Sequence, residues 1–286
     1  MTTIAFFGAT GGCANACLTY TLLNGYNARA LARTPSKLTA LLLSQPGITE
    51  EILSRQLEII EGDATDVEST MKTLIINSTP KNAPNGTCGT PTMAFTKESK
   101  CAKTQMRMPA LPHIQLSNPH ITEQTTSTLL EALAKIASDR FASFEAYRAV
   151  APRVTVISTT GHLPGNKDVP FWFRPMYSVL LPIPHADKLQ MERLLDKEVG
   201  LGHAGVLAAG VVVVRPSFLT GDHLVPVIEG EKGGEGVGLE KVRAGTEKAP
   251  AIGYTISRAL VGEWIFEEIV KGGGGKWVGE KVTITT

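Results

Sequence analysis

The residues with the clearest chemical potential stand near the N-terminus, where "IAFFGATGGCANA" places Gly8, Gly11 and Ala14 at even spacing. An apolar run precedes this loop and a helical pattern follows it. A dinucleotide cradle needs that context. One glycine permits a tight turn out of the strand, and the next lets backbone N–H groups approach a pyrophosphate. The third small residue lets helix and strand pack closely. The helix N-terminus adds partial positive charge. Gly8, Thr10, Gly11, Gly12 and Cys13 are therefore the expected cofactor contacts. The competing reading is a purely structural turn.

A second cluster bears on which nucleotide is held. The next apolar run ends "ALARTPSK". An NAD site places Asp or Glu there to bond the ribose 2′-OH. Here Arg33 takes that place, with Lys37 beside it. A guanidinium grips a phosphate through two hydrogen bonds and gains little from a neutral ribose. The pattern favours NADP(H), the alternative being that Arg33 and Lys37 decorate a solvated helix start. Asp63, in "EGDATD", can reach the adenine edge or cap the helix that follows.

These residues need elements to hold them, and the chain supplies an alternation of strands and helices. Strands are expected over 2–8, 27–32, 57–63, 73–78, 153–158 and 210–217, with a last one within 276–285. Helices are expected over 13–25, 35–43, 67–73, 122–138, 187–199 and 257–271, the last with Ser257 as its N-cap. Apolar strands each followed by a helix predict an α/β, Rossmann-type doubly wound parallel sheet. Residues 1–222 are read as the NADP(H)-binding domain and 223–286 as a small C-terminal substrate or cap region without an independent fold. Residues 79–118 form a polar insertion with five Lys/Arg against one Glu, read as solvated.

Composition narrows the partners. Among 286 residues, 28 Lys/Arg against 27 Asp/Glu leave a net charge of +1, which excludes a nucleic-acid-binding field over the whole chain. No apolar stretch reaches the ~18 residues of a membrane span, and no secretory leader is read. Cys13, Cys17, Cys88 and Cys101 form no paired motif, which fits a reducing, cytoplasmic setting. Cys13 and Cys17 lie one helical turn apart, a spacing expected from packing.

The motifs "GATGG", "LARTPSKL" and "GDATD" resemble the atypical short-chain dehydrogenase/reductases, in particular the NmrA-like group. "RVTVISTTG", "PIPHADKLQMERLL" and "VVVVRPSFLTGD" are similar to NmrA-like proteins of filamentous fungi. The resemblance covers most of the chain outside 79–118 and 223–250. It implies a Rossmann-type domain that binds NADP(H), topped by a smaller C-terminal substrate region. It also implies one of three roles: a tailoring oxidoreductase of secondary metabolism, a redox-neutral cyclase or isomerase, or a redox-sensing regulator. One departure matters. The dehydrogenase Y-x-x-x-K spacing is absent, since Pro184 stands four residues before Lys188 and Leu181 four after Tyr177.

In such a sheet, ligands sit beyond the carboxyl ends of the strands. That directs attention to Asn77 and Ser78, with Thr79 and Pro80, after strand four. It also points to Ser158, Thr159, Thr160, Gly161 and His162 after strand five, and to Pro216–Phe218 after strand six. Hydride transfer asks of the protein alignment, water exclusion and a proton donor. Ser158 and Thr159 are placed to bond a substrate oxygen, or to act as turn hydroxyls. By the resemblance, Lys188 holds the nicotinamide ribose, and its charge would lower a neighbouring donor's pKa. Tyr177, His162 and His185 are the remaining donors. Asp187 with Gln190 resembles a capping box. The apolar segment 163–184 reads as a cap, with Phe171, Trp172 and Tyr177 as wall of an apolar small-molecule site, or as a dimer surface. The chain is expected to be a monomer or homodimer.

Overall fold

The computed structural model describes residues 3–75, 118–161, 163–175, 182–226 and 238–286. β1 (Thr3–Phe7) enters α1 (Gly12–Leu23) through the glycine loop. β2 (Asn27–Ala32) follows, then α2 (Pro35–Leu43), whose first-turn proline lacks an N–H that the helix would leave unbonded anyway. α3 (Glu50–Gln56) is an addition to the elements read from sequence. Thr49 caps it by accepting from the Ile52 N–H, and Glu50 and Glu51 favour its first turn. It leads into β3 (Leu57–Glu61) and then α4 (Val67–Leu74).

Two expectations are corrected around α4. Its cap is Asp66, whose carboxylate accepts from the Ser69 N–H at 2.8 Å and is held below its ordinary pKa by Ser69. Asp63 instead turns on itself, accepting from the Thr65 N–H and hydroxyl. The strand expected over 73–78 does not begin at Thr73, because Thr73 and Leu74 close α4. The Asp66 cap sets a helical frame that turns Thr70, Thr73 and Leu74 inward. Asn77, Ser78, Thr79, Pro80, Cys88, Cys101, His162 and Tyr177 lie outside the described residues, as does the insertion up to residue 117.

The second half comprises α5 (Ile121–Arg140), α6 (Phe144–Arg148), β4 (Val154–Ile157), α7 (Pro182–Gly200) and β5 (Val211–Pro216). β6 (Phe218–Thr220), β7 (Arg243–Gly245), β8 (Thr255–Ser257), α8 (Arg258–Ile265, continued by a π-turn over Phe266–Lys271) and β9 (Lys281–Thr285) complete it. Ser257 caps α8 by accepting from the Leu260 N–H, as the sequence predicts. α7 starts at Pro182, so Asp187 lies inside it and is no capping box for its own helix. Its carboxylate accepts instead from the Thr122 and Glu123 N–H groups at 3.0 and 2.9 Å. Asp187 thereby caps α5 from a neighbouring helix, where His120 offers no side-chain cap.

Among the described strands, β1, β2 and β3 form a parallel set, and β4, β5 and β9 another, with β7 antiparallel at its edge. Alternate residues of both sets enter the same two cores. Ile4, Phe6, Ala30, Val212, Val214 and Val282 pack toward α1 and α8. Ala5, Phe7, Leu31, Val156, Val211 and Val213 pack toward α5 and α7. Helices thus cover both faces of a Rossmann-type doubly wound layer, and period-2 alternation sorts the side chains between them.

α1 is buried all round from Cys13 to Leu22, because α8 covers the face that a surface helix would show to water. The approach is close. A Cβ on Gly262 would stand 2.6 Å from both Ala16 Cβ and Cys17 N. Next to it Glu263 is 1% exposed. Burial first, then the charges of Glu267 and Glu240, push its carboxyl up to about 7, against the Tyr20 hydroxyl that pulls it down.

Two outcomes follow from this interface. Gly262→Ala overpacks it and is expected to lower unfolding free energy by about 1–3 kcal/mol in urea titrations. Gly200→Ala, where a Cβ meets nothing within 4 Å, is the neutral control. Glu263 keeps its proton to about pH 7 when folded, against an ordinary carboxyl value of 4.5. Protons then favour the fold, and stability falls as pH rises through that window, by roughly 3 kcal/mol. Glu263→Gln should remove this part of the slope, so its gain over the parent protein is larger at about pH 8 than at about pH 5. Equal gains at both would show that Glu263 does not titrate there.

Candidate cofactor and substrate site

At the carboxyl end of β1, Gly8 adopts φ +74 and its carbonyl accepts from the Gly11 N–H at 2.8 Å. This left-handed turn is what glycine permits cheaply. Asn15 holds the loop from inside, donating to the Ala9 carbonyl at 2.9 Å and accepting from Gln45 at 2.8 Å. α1 then starts with no side-chain cap and no acidic residue in its first turn. A helix start of this kind leaves its leading N–H groups without partners inside the helix. The Cys13 side chain is fully buried in the core, so only its backbone amide can serve a ligand. Burial of Cys17 pushes its thiol well up, and the thiol is no nucleophile.

Arg33 lies exposed just past β2, with its Nε 3.8 Å from Asp63 Oδ2. The loose, solvated pair joins the ends of β2 and β3 and leaves the guanidinium open to a better partner. Lys37 is exposed on the first turn of α2. The turn at Gly8, the uncapped α1 terminus and an arginine at the end of β2 together fit an NADP-type dinucleotide in shape and charge.

Beyond β4 the sequence candidates meet a buried network that sequence reading missed. Lys188 Nζ donates to the Ile157 carbonyl at 2.5 Å. One helical turn on, Glu192 Oε1 accepts from the Ser158 hydroxyl at 2.5 Å. Both helix residues therefore address the end of β4 from one face of α7, and His185 precedes them by a turn, half-buried. Glu192 also holds Arg215 of β5, with Arg215 Nε 3.0 Å from Oε1. Arg215 reaches Glu247 at 3.0 Å, and Lys281 stands 3.6 Å from Glu192. Burial alone would lower the Arg215 guanidinium's pKa, but Glu192 and Glu247 raise it above its ordinary value. The Ser158 hydroxyl proton is committed to Glu192, and the residue is 4% exposed. Thr159 is the more open of the two. A charged residue inside "VVVVRP" was the available signal, because a buried arginine demands a buried carboxylate.

Asp168, 1% exposed, closes the loop after β4 by accepting from the Gly161 N–H at 2.8 Å. Just beyond it, Phe171 and Trp172 are 70% and 79% exposed. Phe173 meets Tyr254 edge-on at 4.9 Å, and the Phe218 N–H donates to the Tyr254 carbonyl. Segments around β4, β5 and β8 thus bring an apolar, aromatic surface to the same end of the sheet. Among the described residues, no group of three or more His, Cys, Asp or Glu is arranged to hold a metal ion, and no helix is long and apolar enough to cross a membrane.

The fold is that of the short-chain dehydrogenase/reductases. A crystal structure of such a protein from Veillonella parvula superposes with TM-score 0.61 at 13% identity, covering 99% of this chain and 93% of that one. A second from the same organism, in complex with NADP, gives TM-score 0.60 at 14% identity over 100% of this chain and 94% of that one. At such identity the likeness is one of fold. No protein-family model matches the sequence. Two fungal proteins do. The chain is 44% identical over 292 residues to Oxidase pynE of Aspergillus niger, covering 99% of this chain and 98% of that protein. It is 38% identical over 285 residues to Reductase pytE of Aspergillus terreus, covering 99% and 97%. The chain belongs to the family of these two proteins.

The buried network generates a direct test. Glu192→Ala leaves Arg215 inside the protein without its main counter-charge and is expected to cost about 3–5 kcal/mol in chemical denaturation. Glu247→Ala, at the exposed end of the same chain of charges, should cost under about 1 kcal/mol. Similar losses for both would remove Glu192 from its central place.

Proposed function

We propose that this protein is an NADP(H)-dependent oxidoreductase of the NmrA-like type, acting on an apolar or polycyclic small molecule in a tailoring step of fungal secondary metabolism. The observation that carries the reading is Arg33 at the end of β2, where an NAD site would hold an acid, on the same sheet edge as the Gly8–Gly12 turn. The family's members named oxidase and reductase support a redox role. A fold relative solved with NADP supports the cofactor.

When bound, NADP(H) supplies or accepts the hydride. The chain's residues have other tasks. The loop from Gly8 to Gly12 and the α1 amides hold the pyrophosphate, and Arg33, with Lys37 beside it, holds the 2′-phosphate. Lys188, anchored on the Ile157 carbonyl, presents positive charge beside Ser158 and Thr159, where a substrate oxygen gains negative character. Phe171, Trp172 and Tyr254 exclude water and favour an apolar body. The missing tyrosine four residues before Lys188 favours a second reading. A redox-neutral cyclisation or isomerisation keeps the cofactor but needs no tyrosine proton donor.

One set of measurements tests this. NADPH and NADH titrations, followed by tryptophan fluorescence, should show the phosphorylated cofactor preferred by about 10–100-fold, the scale of one charge-assisted hydrogen-bond set. Arg33→Ala should erase most of that preference. Equal affinities in the parent protein would refute the role of Arg33. With an apolar carbonyl or alcohol substrate, product should appear in step with the change in cofactor absorbance. Product without that change selects the redox-neutral reading.

A further inference from the structure

Just past the end of α2, Gln45 is 3% exposed, and its side-chain amide is engaged at both ends. Its Nε2 donates to the His223 carbonyl and to Asn15 Oδ1, both at 2.8 Å. Its Oε1 accepts from the Val225 N–H at 3.0 Å. His223 and Val225 belong to the segment that follows β6, 178 and 180 residues further along the chain. Asn15, fully buried in α1, donates in turn to the Ala9 carbonyl of the glycine loop at 2.9 Å. Two side-chain amides thus tie the glycine loop to the C-terminal part of the chain.

These bonds have a direction. A backbone carbonyl only accepts and a backbone N–H only donates. His223 and Val225 therefore leave the Gln45 amide one orientation, with its nitrogen on the side of Asn15. That nitrogen takes Asn15 Oδ1 and leaves the Asn15 nitrogen for Ala9. With the Asn15 amide turned over, two donors would face each other at Gln45 and two acceptors at Ala9, in a core where neither finds water. A trans peptide points its N–H opposite to its C=O. Holding the Ala9 carbonyl inward thus holds the Thr10 N–H outward, at the turn that Gly8 opens with φ +74. We infer that Gln45 is a positioning residue for a dinucleotide pyrophosphate, acting through Asn15 to present the Thr10 N–H to a phosphate oxygen. This rests on the NADP(H) reading above. The segment after β6 then has a task at the cofactor end of the site, because two of its backbone groups set the relay.

The test uses two ligands that divide the site. NADPH carries both the pyrophosphate and the 2′-phosphate, whereas adenosine 2′-phosphate carries only the second. Gln45→Met keeps the volume and removes the relay. Calorimetry on this variant should show NADPH weakened by about 10-fold, the scale of one hydrogen bond to a charged group. Adenosine 2′-phosphate should bind within about two-fold of the parent protein. Asn15→Ala should lose NADPH affinity to a similar degree, and adding Gln45→Met to it should cost under about two-fold more, since one residue acts through the other. A further arm needs no variant and so stands even if these fold poorly. Linkage is reciprocal, so in the parent protein NADPH should slow hydrogen exchange at the Val225 N–H about 10-fold more than saturating adenosine 2′-phosphate does. NADPH affinity within about two-fold of the parent in Gln45→Met overturns the assignment. So do an equal loss for both ligands, independent losses in the double variant, and equal protection of Val225 by both ligands. A parent protein that binds neither ligand refutes the NADP(H) reading and the assignment with it, an outcome separable from these.

Discussion

The close contact of α8 with α1 is the constraint on which the rest of this structure turns. Gly262 has no side chain because Ala16 and the backbone of Cys17 occupy that space. The approach buries α1 completely and brings the C-terminal part of the chain against the first βα unit. It also sets where Arg258 and Glu263 stand. One lies over the glycine loop at the mouth, and the other is sealed in the interface with its proton retained to about pH 7. A single small residue therefore links core packing, a titrating carboxyl and the rim of the glycine loop.

A second organising element is the Glu192–Arg215 pair. Both residues are almost fully buried, and they tie α7 to β5 while Glu192 takes the Ser158 hydroxyl just past β4. Ion pairs in such places are costly to dehydrate and offer direction more than stability. Here the direction is useful. The pair fixes the face of α7 that carries Lys188 against the Ile157 carbonyl, and so places positive charge at the end of β4. The aromatic surface of Phe171, Trp172 and Tyr254 stands at the same end of the sheet but on loops, where an apolar ligand can be accommodated without disturbing the core.

Much of this was legible in the residues. The turn at Gly8, the buried strands, the proline that opens α2 and the Ser257 cap are local features, and each appears as its pattern predicts. The errors share one cause. Thr73 and Leu74 read as strand because they are apolar or β-branched, yet the Asp66 cap upstream had already committed them to a helix. Asp187 has the spacing of a capping box, but its partners are the Thr122 and Glu123 amides. A side chain that caps another helix leaves no local trace.

The spacing of glycines and the arginine after β2 carry the expectation of a dinucleotide, because a phosphate cradle is built from neighbours in the chain and its geometry is written in a dozen residues. The proposed reaction end of the site is different. Ser158, Lys188 with Glu192, Arg215 and Glu247 come from four separate stretches, and Arg258 meets Gly12 across most of the chain's length. Such meetings depend on how helices pack and which charges must be paired once water is excluded. Those are properties of the folded interior, where burial makes a partner obligatory without specifying from which segment it comes.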